Sequence, residues 1–151
     1  MSELRELYQE VILDHNKNPR NFRKLEPCSH HANGYNPLCG DKLELFLDIE
    51  DGMIKDIAFI GSGCAISTSS ASLMTQFLKG RTVVDTKNIF KHFHDLVTGK
   101  PLDAEELESL GKLGIFAGVQ EFPARVKCAS LSWHTLMNAL DSTDETTQTE
   151  N

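Results

Sequence analysis

The sequence has no surplus of positive charge: 22 acidic residues stand against 15 Lys and Arg, for a formal net charge of −7. Nucleic acids and anionic membrane surfaces select basic patches, so neither is expected as a partner, and proteins or small ions remain. No run approaches the roughly 18 consecutive apolar residues of a membrane span. No basic stretch followed by an apolar one opens the chain, because MSELRELYQEVILD is charged from its third residue onward, and the expectation is a cytoplasmic protein. There is no close-set cysteine framework. Cys28, Cys39, Cys64 and Cys128 are widely spaced, which in a reducing compartment suits metal ligands, reactive thiols or core residues better than disulfides. Internal repeats are absent too. With 151 residues, 40% of them apolar, the chain is long enough for one domain with an ordinary core.

What is present is ordered as helix, sheet, then helices. Leu4, Leu7, Tyr8, Val11 and Ile12 recur at i, i+3, i+4, i+7 and i+8, the stripe of an amphipathic helix with Ser2 as candidate N-cap; Asn16 to Pro19 end it. Residues 28–35 read as a short strand. KLELFLDIEDGMIKDIAFIG reads as two strands around Asp51-Gly52, the strongest short hairpin signal. Past Gly63 the period becomes helical: Ile66, Leu73, Phe77 and Leu78 mark one face of 66–79, and helical or turn segments follow at 85–98 and 103–117. FPARVKCASLSWHTLMNAL makes a last helix with Val126, Leu131, Leu136 and Leu140 inward. The predicted class is α+β, a small antiparallel sheet of about three strands packed against an N-terminal helix and several C-terminal helices. Residues 1–140 form the single domain. The acidic tail DSTDETTQTEN, 141–151, contains no hydrophobe and is expected to be disordered.

Three cysteines fall at chemically informative places. Cys39 lies in a loop between Asn36-Pro37 and Gly40; Cys64 follows Gly61-Ser62-Gly63 at a strand-to-helix junction; Cys128 lies near the start of the last helix. A helix N-terminus favours an anion, so Cys64 and Cys128 are expected to lean toward thiolate, the nucleophilic and metal-binding form. Asp41, two residues past Cys39, can face the same ion, since a carboxylate is an accepted zinc ligand. The competing reading of any one cysteine is a small buried hydrophobe. Glycine turns around Cys64 and the Pro/Gly bracket around Cys39 suit presentation of a thiol better than core packing. Cys28 with His30 and His31 is a rival metal motif, though no second close pair accompanies it. His92, His94 and His134 are scattered and read as surface or core residues.

VILDHNKNPRN, NPLCGD, GSGCAISTSSASLMT and FPARVKCASLSWHTL, taken in order over residues 4–140, resemble the U-type iron–sulfur cluster assembly proteins. The chain is more similar to the SufU branch than to the IscU branch. The stretch between Cys64 and Cys128 is longer than IscU-like proteins use, and the excess falls around TGKPLDAEELESLGKLGIFAGVQEF. Lys127 also stands where IscU-like proteins carry a histidine, and an ammonium must lose its proton before it can bind metal. The resemblance implies an IscU/SufU-like fold, zinc held by Cys39, Asp41, Cys64 and Cys128, and Cys39 as the thiol that takes sulfur from a SufS-type cysteine desulfurase. Downstream iron–sulfur assembly proteins are the further partners it implies. Cys28 matches no family ligand.

Three thiolates and a carboxylate around a divalent ion leave a net negative site, and Arg125 and Lys127 are the candidate supporting cations. Arg125 precedes Cys128 by three residues and shares its helix face, within reach of a ligand carboxylate or sulfur. Three functions follow: a zinc-dependent sulfurtransferase taking persulfide sulfur from the desulfurase, a scaffold for a [2Fe–2S] cluster on Cys39, Cys64 and Cys128, or a structural zinc module that recruits partners. Thiolate sites bind either metal form. A reactive cysteine on a loop argues against the purely structural role.

Overall fold

The computed structural model describes residues 2–141 and 147–148. Helix α1 spans Ser2–Lys17, strands β1 His30–Asn36, β2 Asp41–Glu50 and β3 Met53–Ser62 follow, and then come α2 Ala65–Leu78 and α3 Val83–Thr98. Helix α4 is Ala104–Leu110, a 3-10 segment covers Gly111–Glu121, α5 is Pro123–Leu140, and a two-residue strand β4 is Thr147–Gln148. The sheet order is β3-β2-β1-β4. The three long strands are antiparallel, as expected, and β4 adds in parallel to Gly34 and Tyr35. The rest of the tail expected to be disordered lies outside the described residues, as do the side chains of Leu4 and Leu7. Ser2 is the first helical residue and so does not precede the helix as a cap.

The hairpin forms where Asp51 and Gly52 both take positive φ, 53° and 75°, the geometry that matches the twist of the flanking strands. Strand alternation then sorts the side chains. Asp41, Leu43, Leu45 and Leu47 of β2 are all buried and share one face by the two-residue period. Leu45 pairs with Phe59 and Leu47 with Ile57 across β3. Helix α5 lies on β1 and β2, and α2 packs between α1, α5 and β3. Close approach of α5 requires Gly34, because a Cβ there would run into the Thr135 hydroxyl.

Helix α2 departs from the leucine-type stripe expected of it. Ile66 and Phe77 are only partly buried, whereas Ser67, Ser69, Ser70, Ser72 and Thr75 are buried with Leu73, Met74 and Leu78. Small hydroxyl residues let neighbouring helices come close and bond to each other's backbone: the Ser70 hydroxyl donates to the Ala129 carbonyl of α5 at 2.7 Å. Farther along, Phe93 of α3 stacks on Trp133 of α5, with ring centroids 4.5 Å apart. Phe116 meets Phe93 edge-on at 5.9 Å. The 3-10 segment buries Leu113, Phe116 and Val119, a spacing of three that puts them on one face of a three-residue turn.

Candidate metal centre

The end of the sheet nearest the β1–β2 loop carries the site. Asn36 closes β1 and Asp41 opens β2, directly opposite in register. Alternation turns both toward the helices, and both are fully buried. Between them a tight turn is closed by the Gly40 N–H donating to the Asn36 carbonyl at 2.8 Å. Gly40 takes φ 76°, the left-handed region that favours glycine. The turn therefore holds Leu38 and Cys39 outward, both exposed. This is the structural basis for a presented thiol at Cys39.

Cys64 arrives from the far end of β3 and caps α2: its sulfur accepts the Ser67 N–H at 3.4 Å. Its own N–H donates to Asp41 Oδ1 at 2.9 Å. Gly63 makes room for that contact, since a Cβ there would stand 2.6 Å from Asp41 Oδ1. Cys128 is supplied by α5. Helix α5 starts at Pro123, so Cys128 lies in its second turn, where backbone N–H groups are already bonded. The thiolate lean expected from a helix start thus applies to Cys64 and not to Cys128. A hydrogen bond from Cys128 above all, opposed by burial and aided by the Ser67 N–H, brings the Cys64 thiol down to about 6. The same bond to Cys64, then burial, then contact with Cys39, pushes the Cys128 thiol up, so it is the proton-holding partner.

Ligand atoms of Cys39, Asp41 and Cys128 all lie within 4.8 Å of one another. The Cys128 and Cys39 sulfurs are 3.4 Å apart. Tetrahedral zinc with Zn–S bonds of about 2.3 Å separates its sulfurs by about 3.8 Å, so the two sulfurs fit a zinc ion with sub-ångström adjustment. The donor chemistry fits as well, two thiols and a carboxylate, with Cys64 hydrogen-bonded alongside as a fourth candidate. Asp41 is buried, where hydrogen bonds such as that from the Cys64 N–H make its carboxylate tolerable.

The remaining candidates are placed elsewhere. Arg125 is exposed and its guanidinium lies 4.6 Å over the Phe122 ring, not on a ligand atom. A cation stacks on an adjacent aromatic face more readily than it crosses a helix turn into a buried site. Lys127 is half-buried on α5 beside Cys128. Among the described residues the Cys28 motif gathers no three-residue metal cluster. His30 Nδ1 is hydrogen-bonded to the Ser29 hydroxyl at 2.7 Å, His31 pairs with Glu44 at 3.1 Å, and burial, then Glu26 and Asp48, raise the Cys28 thiol. His92 pairs with Glu106, and His94 and His134 face each other between α3 and α5. The sequence reading missed Asn36. Its amide donates to Asp41 Oδ2 at 3.3 Å and to the Cys128 sulfur at 3.7 Å. Asn before Pro registered only as a turn signal.

Fold and site together define an α+β protein whose sheet end carries a Cys/Asp cluster able to hold a metal ion. Residues 7–129 match the NifU-like N terminal domain, and the chain belongs to that family. It is 42% identical over 130 residues to the zinc-dependent sulfurtransferase SufU of Bacillus subtilis, covering 86% of each chain. It is 36% identical over 140 residues to the iron–sulfur cluster assembly scaffold protein IscU of Streptococcus pyogenes, covering 93% of this chain and 86% of that one. Among solved structures, a protein described as an iron–sulfur cluster assembly scaffold for the SUF system from Fervidobacterium islandicum superposes with TM-score 0.82 at 34% identity, over 87% of this chain and 94% of that one. The N-terminal part of a NifU-like protein from Brucella abortus has the same fold, TM-score 0.79 at 20% identity, over 89% of this chain and 92% of that one. The U-type resemblance and the fold expected from the motifs are thereby borne out.

Proposed function

We propose that this chain is a zinc-dependent sulfur acceptor in iron–sulfur cluster assembly, acting in the cytoplasm on persulfide sulfur supplied by a SufS-type cysteine desulfurase. Similarity to the Bacillus subtilis sulfurtransferase supports the reading. The observation that carries it is the position of Cys39: an exposed thiol on a glycine-closed turn, with its sulfur 3.4 Å from buried Cys128. Cys39, Asp41 and Cys128, with Cys64 as the fourth donor, would hold the ion. Bound there, zinc would keep the thiols deprotonated at neutral pH and, having no redox chemistry, leave them unoxidised.

Sulfur transfer then follows thiol–disulfide exchange. The Cys39 thiolate attacks the outer sulfur of the donor persulfide, a new S–S bond forms on Cys39, and the donor cysteine leaves as thiolate. Cys39 is exposed, whereas Cys64 is half-buried and Cys128 buried, so Cys39 is the most accessible of the three thiols to a partner. No helix among the described residues is long and apolar enough to cross a membrane. Downstream recipients of the sulfur are other iron–sulfur assembly proteins.

A second reading, a scaffold that carries a [2Fe–2S] cluster on Cys39, Cys64 and Cys128, is favoured by the scaffold names of the Streptococcus and Fervidobacterium proteins. Desulfurase turnover on cysteine separates the two. A sulfur acceptor stimulates turnover in its zinc-bound form and loses this with Cys39→Ala. A scaffold forms a stable coloured cluster from iron and sulfide, and bound zinc inhibits it.

A further inference from the structure

We propose that Asn36 is the positioning residue of the metal centre, joining the Asp41 carboxylate, the Cys128 thiol and the Cys39 turn through one side-chain amide. The inference rests on the zinc reading of the cluster and adds a residue to it. Asn36 is fully buried, so each of its polar atoms must find a partner inside the protein. Its Nδ2 donates to Asp41 Oδ2 at 3.3 Å and to the Cys128 sulfur at 3.7 Å. Its Oδ1 accepts the Leu38 N–H at 3.2 Å. These partners fix the orientation of the amide, because an N–H can meet only the oxygen and a carboxylate only the NH2 group.

The consequence is a carboxylate held at both ends. Asn36 binds Oδ2 while the Cys64 N–H binds Oδ1, so the plane of the Asp41 carboxylate is set before an ion arrives. The same amide reaches the buried thiol of α5, which ties two ligand-bearing stretches that are distant in sequence. Its carbonyl end folds the Pro37–Gly40 turn, so the outward placement of Cys39 and the inward placement of Asp41 depend on one group. Partners of metal ligands commonly set affinity by orienting the ligands, with losses of about 10–100-fold on removal.

The test uses Asn36→Ala and Asn36→Ser in the full chain, with Thr75→Ala as a control for stability. Thr75 is also buried and hydrogen-bonded, to Asn21 and Ser72 on the α1 side of α2, away from the cluster. Zinc affinity is read by chelator competition, ligand geometry by the electronic spectrum of the cobalt-substituted protein, and folding by melting of the metal-free chain. Asn36→Ala is expected to bind zinc about 10–100-fold more weakly and to shift the cobalt spectrum. Asn36→Ser, which keeps a short donor, should fall between it and wild type, and Thr75→Ala should keep wild-type affinity whatever its melting loss. Wild-type affinity and an unshifted spectrum in Asn36→Ala, or an equal affinity loss in Thr75→Ala, overturns the proposal while leaving the zinc site in place. Wild-type protein that binds no zinc overturns the site itself, and the positioning role with it.

Discussion

The backbone N–H of Cys64 donates to Oδ1 of Asp41 at 2.9 Å, joining the start of α2 to the start of β2. This bond passes over Gly63, whose missing side chain leaves the space the carboxylate occupies. Gly63→Ala would place a Cβ 2.6 Å from Asp41 Oδ1. The carboxylate must shift to relieve it, at a cost of about 1–3 kcal/mol for a crowded buried site. Zinc affinity should fall together with the melting temperature, as measured by chelator competition and thermal unfolding.

Chelation should destabilise the protein as a whole. The candidate ligands come from the β1–β2 turn, the start of α2 and the second turn of α5, so an ion there links three parts of the chain, and its binding free energy adds to folding. A thousandfold excess of zinc over Kd contributes about 4 kcal/mol, equivalent to roughly 8–16 °C in Tm for a domain of this size. Cys128→Ser should melt like the chelated form. Cys64→Ser distinguishes a four-ligand site, in which it also melts so, from a site completed by Cys39, Asp41 and Cys128 with water.

Acid should loosen the attachment of α1 before it affects the carboxylates. His15 is buried, and its Nδ1 meets the Ser72 hydroxyl at 2.7 Å. That hydroxyl oxygen also accepts the Arg20 backbone N–H at 2.8 Å, so Ser72 joins α1, the chain after it and α2. Burial first, then Arg20, hold His15 below its ordinary value of 6.5, with Asp14 opposing and Lys112 assisting. The unfolded chain then binds more protons than the folded one at pH values below 6.5. The stability from neutral His15 is complete above that value and declines as pH falls from it toward the lower folded value. His15→Asn keeps an acceptor for Ser72 and removes the titration, so its Tm should drop less between pH 7 and about pH 5.5. The remaining slope falls to His134, which burial and His94 shift in the same direction, and in the metal-free protein to the Cys64 thiol, brought down to about 6.

Where side chains report by period, the sequence was informative. Asp51-Gly52 marked the hairpin between β2 and β3, and the structure then puts Leu43, Leu45 and Leu47 on the buried face of β2. Helix α2 was readable as a helix but not by its buried face, because serines pack there through hydrogen bonds such as Ser70 to Ala129, which hydrophobic patterning does not record. The 3-10 segment was blurred for another reason: Leu113, Phe116 and Val119 recur at three, between the helical and strand periods. At the site, glycine and proline flanking marked Cys39 and Cys64, while burial of Cys128 and Asn36 depends on α5 docking over the sheet end. Arg125 illustrates the limit of spacing arguments, since Phe122 one turn earlier captures its guanidinium.

Phe116 tests whether the long connection between α4 and α5 is part of the core. It is fully buried and meets Phe93 edge-on. Phe116→Ala should cost about 3–5 kcal/mol, seen as a shift in denaturant midpoint, and a loss below about 1 kcal/mol would mark the segment as a peripheral attachment.

The central claim is that Cys39 receives the sulfur. Zinc-bound protein is incubated with a SufS-type cysteine desulfurase and cysteine, trapped by alkylation, and its cysteine peptides are mapped by mass spectrometry. The account predicts one added sulfur on the peptide that carries Cys39, none on Cys28, and loss of both the mark and the stimulated turnover in Cys39→Ala. Added sulfur on Cys28 with Cys39 unmarked, or full stimulation by Cys39→Ala, would contradict it.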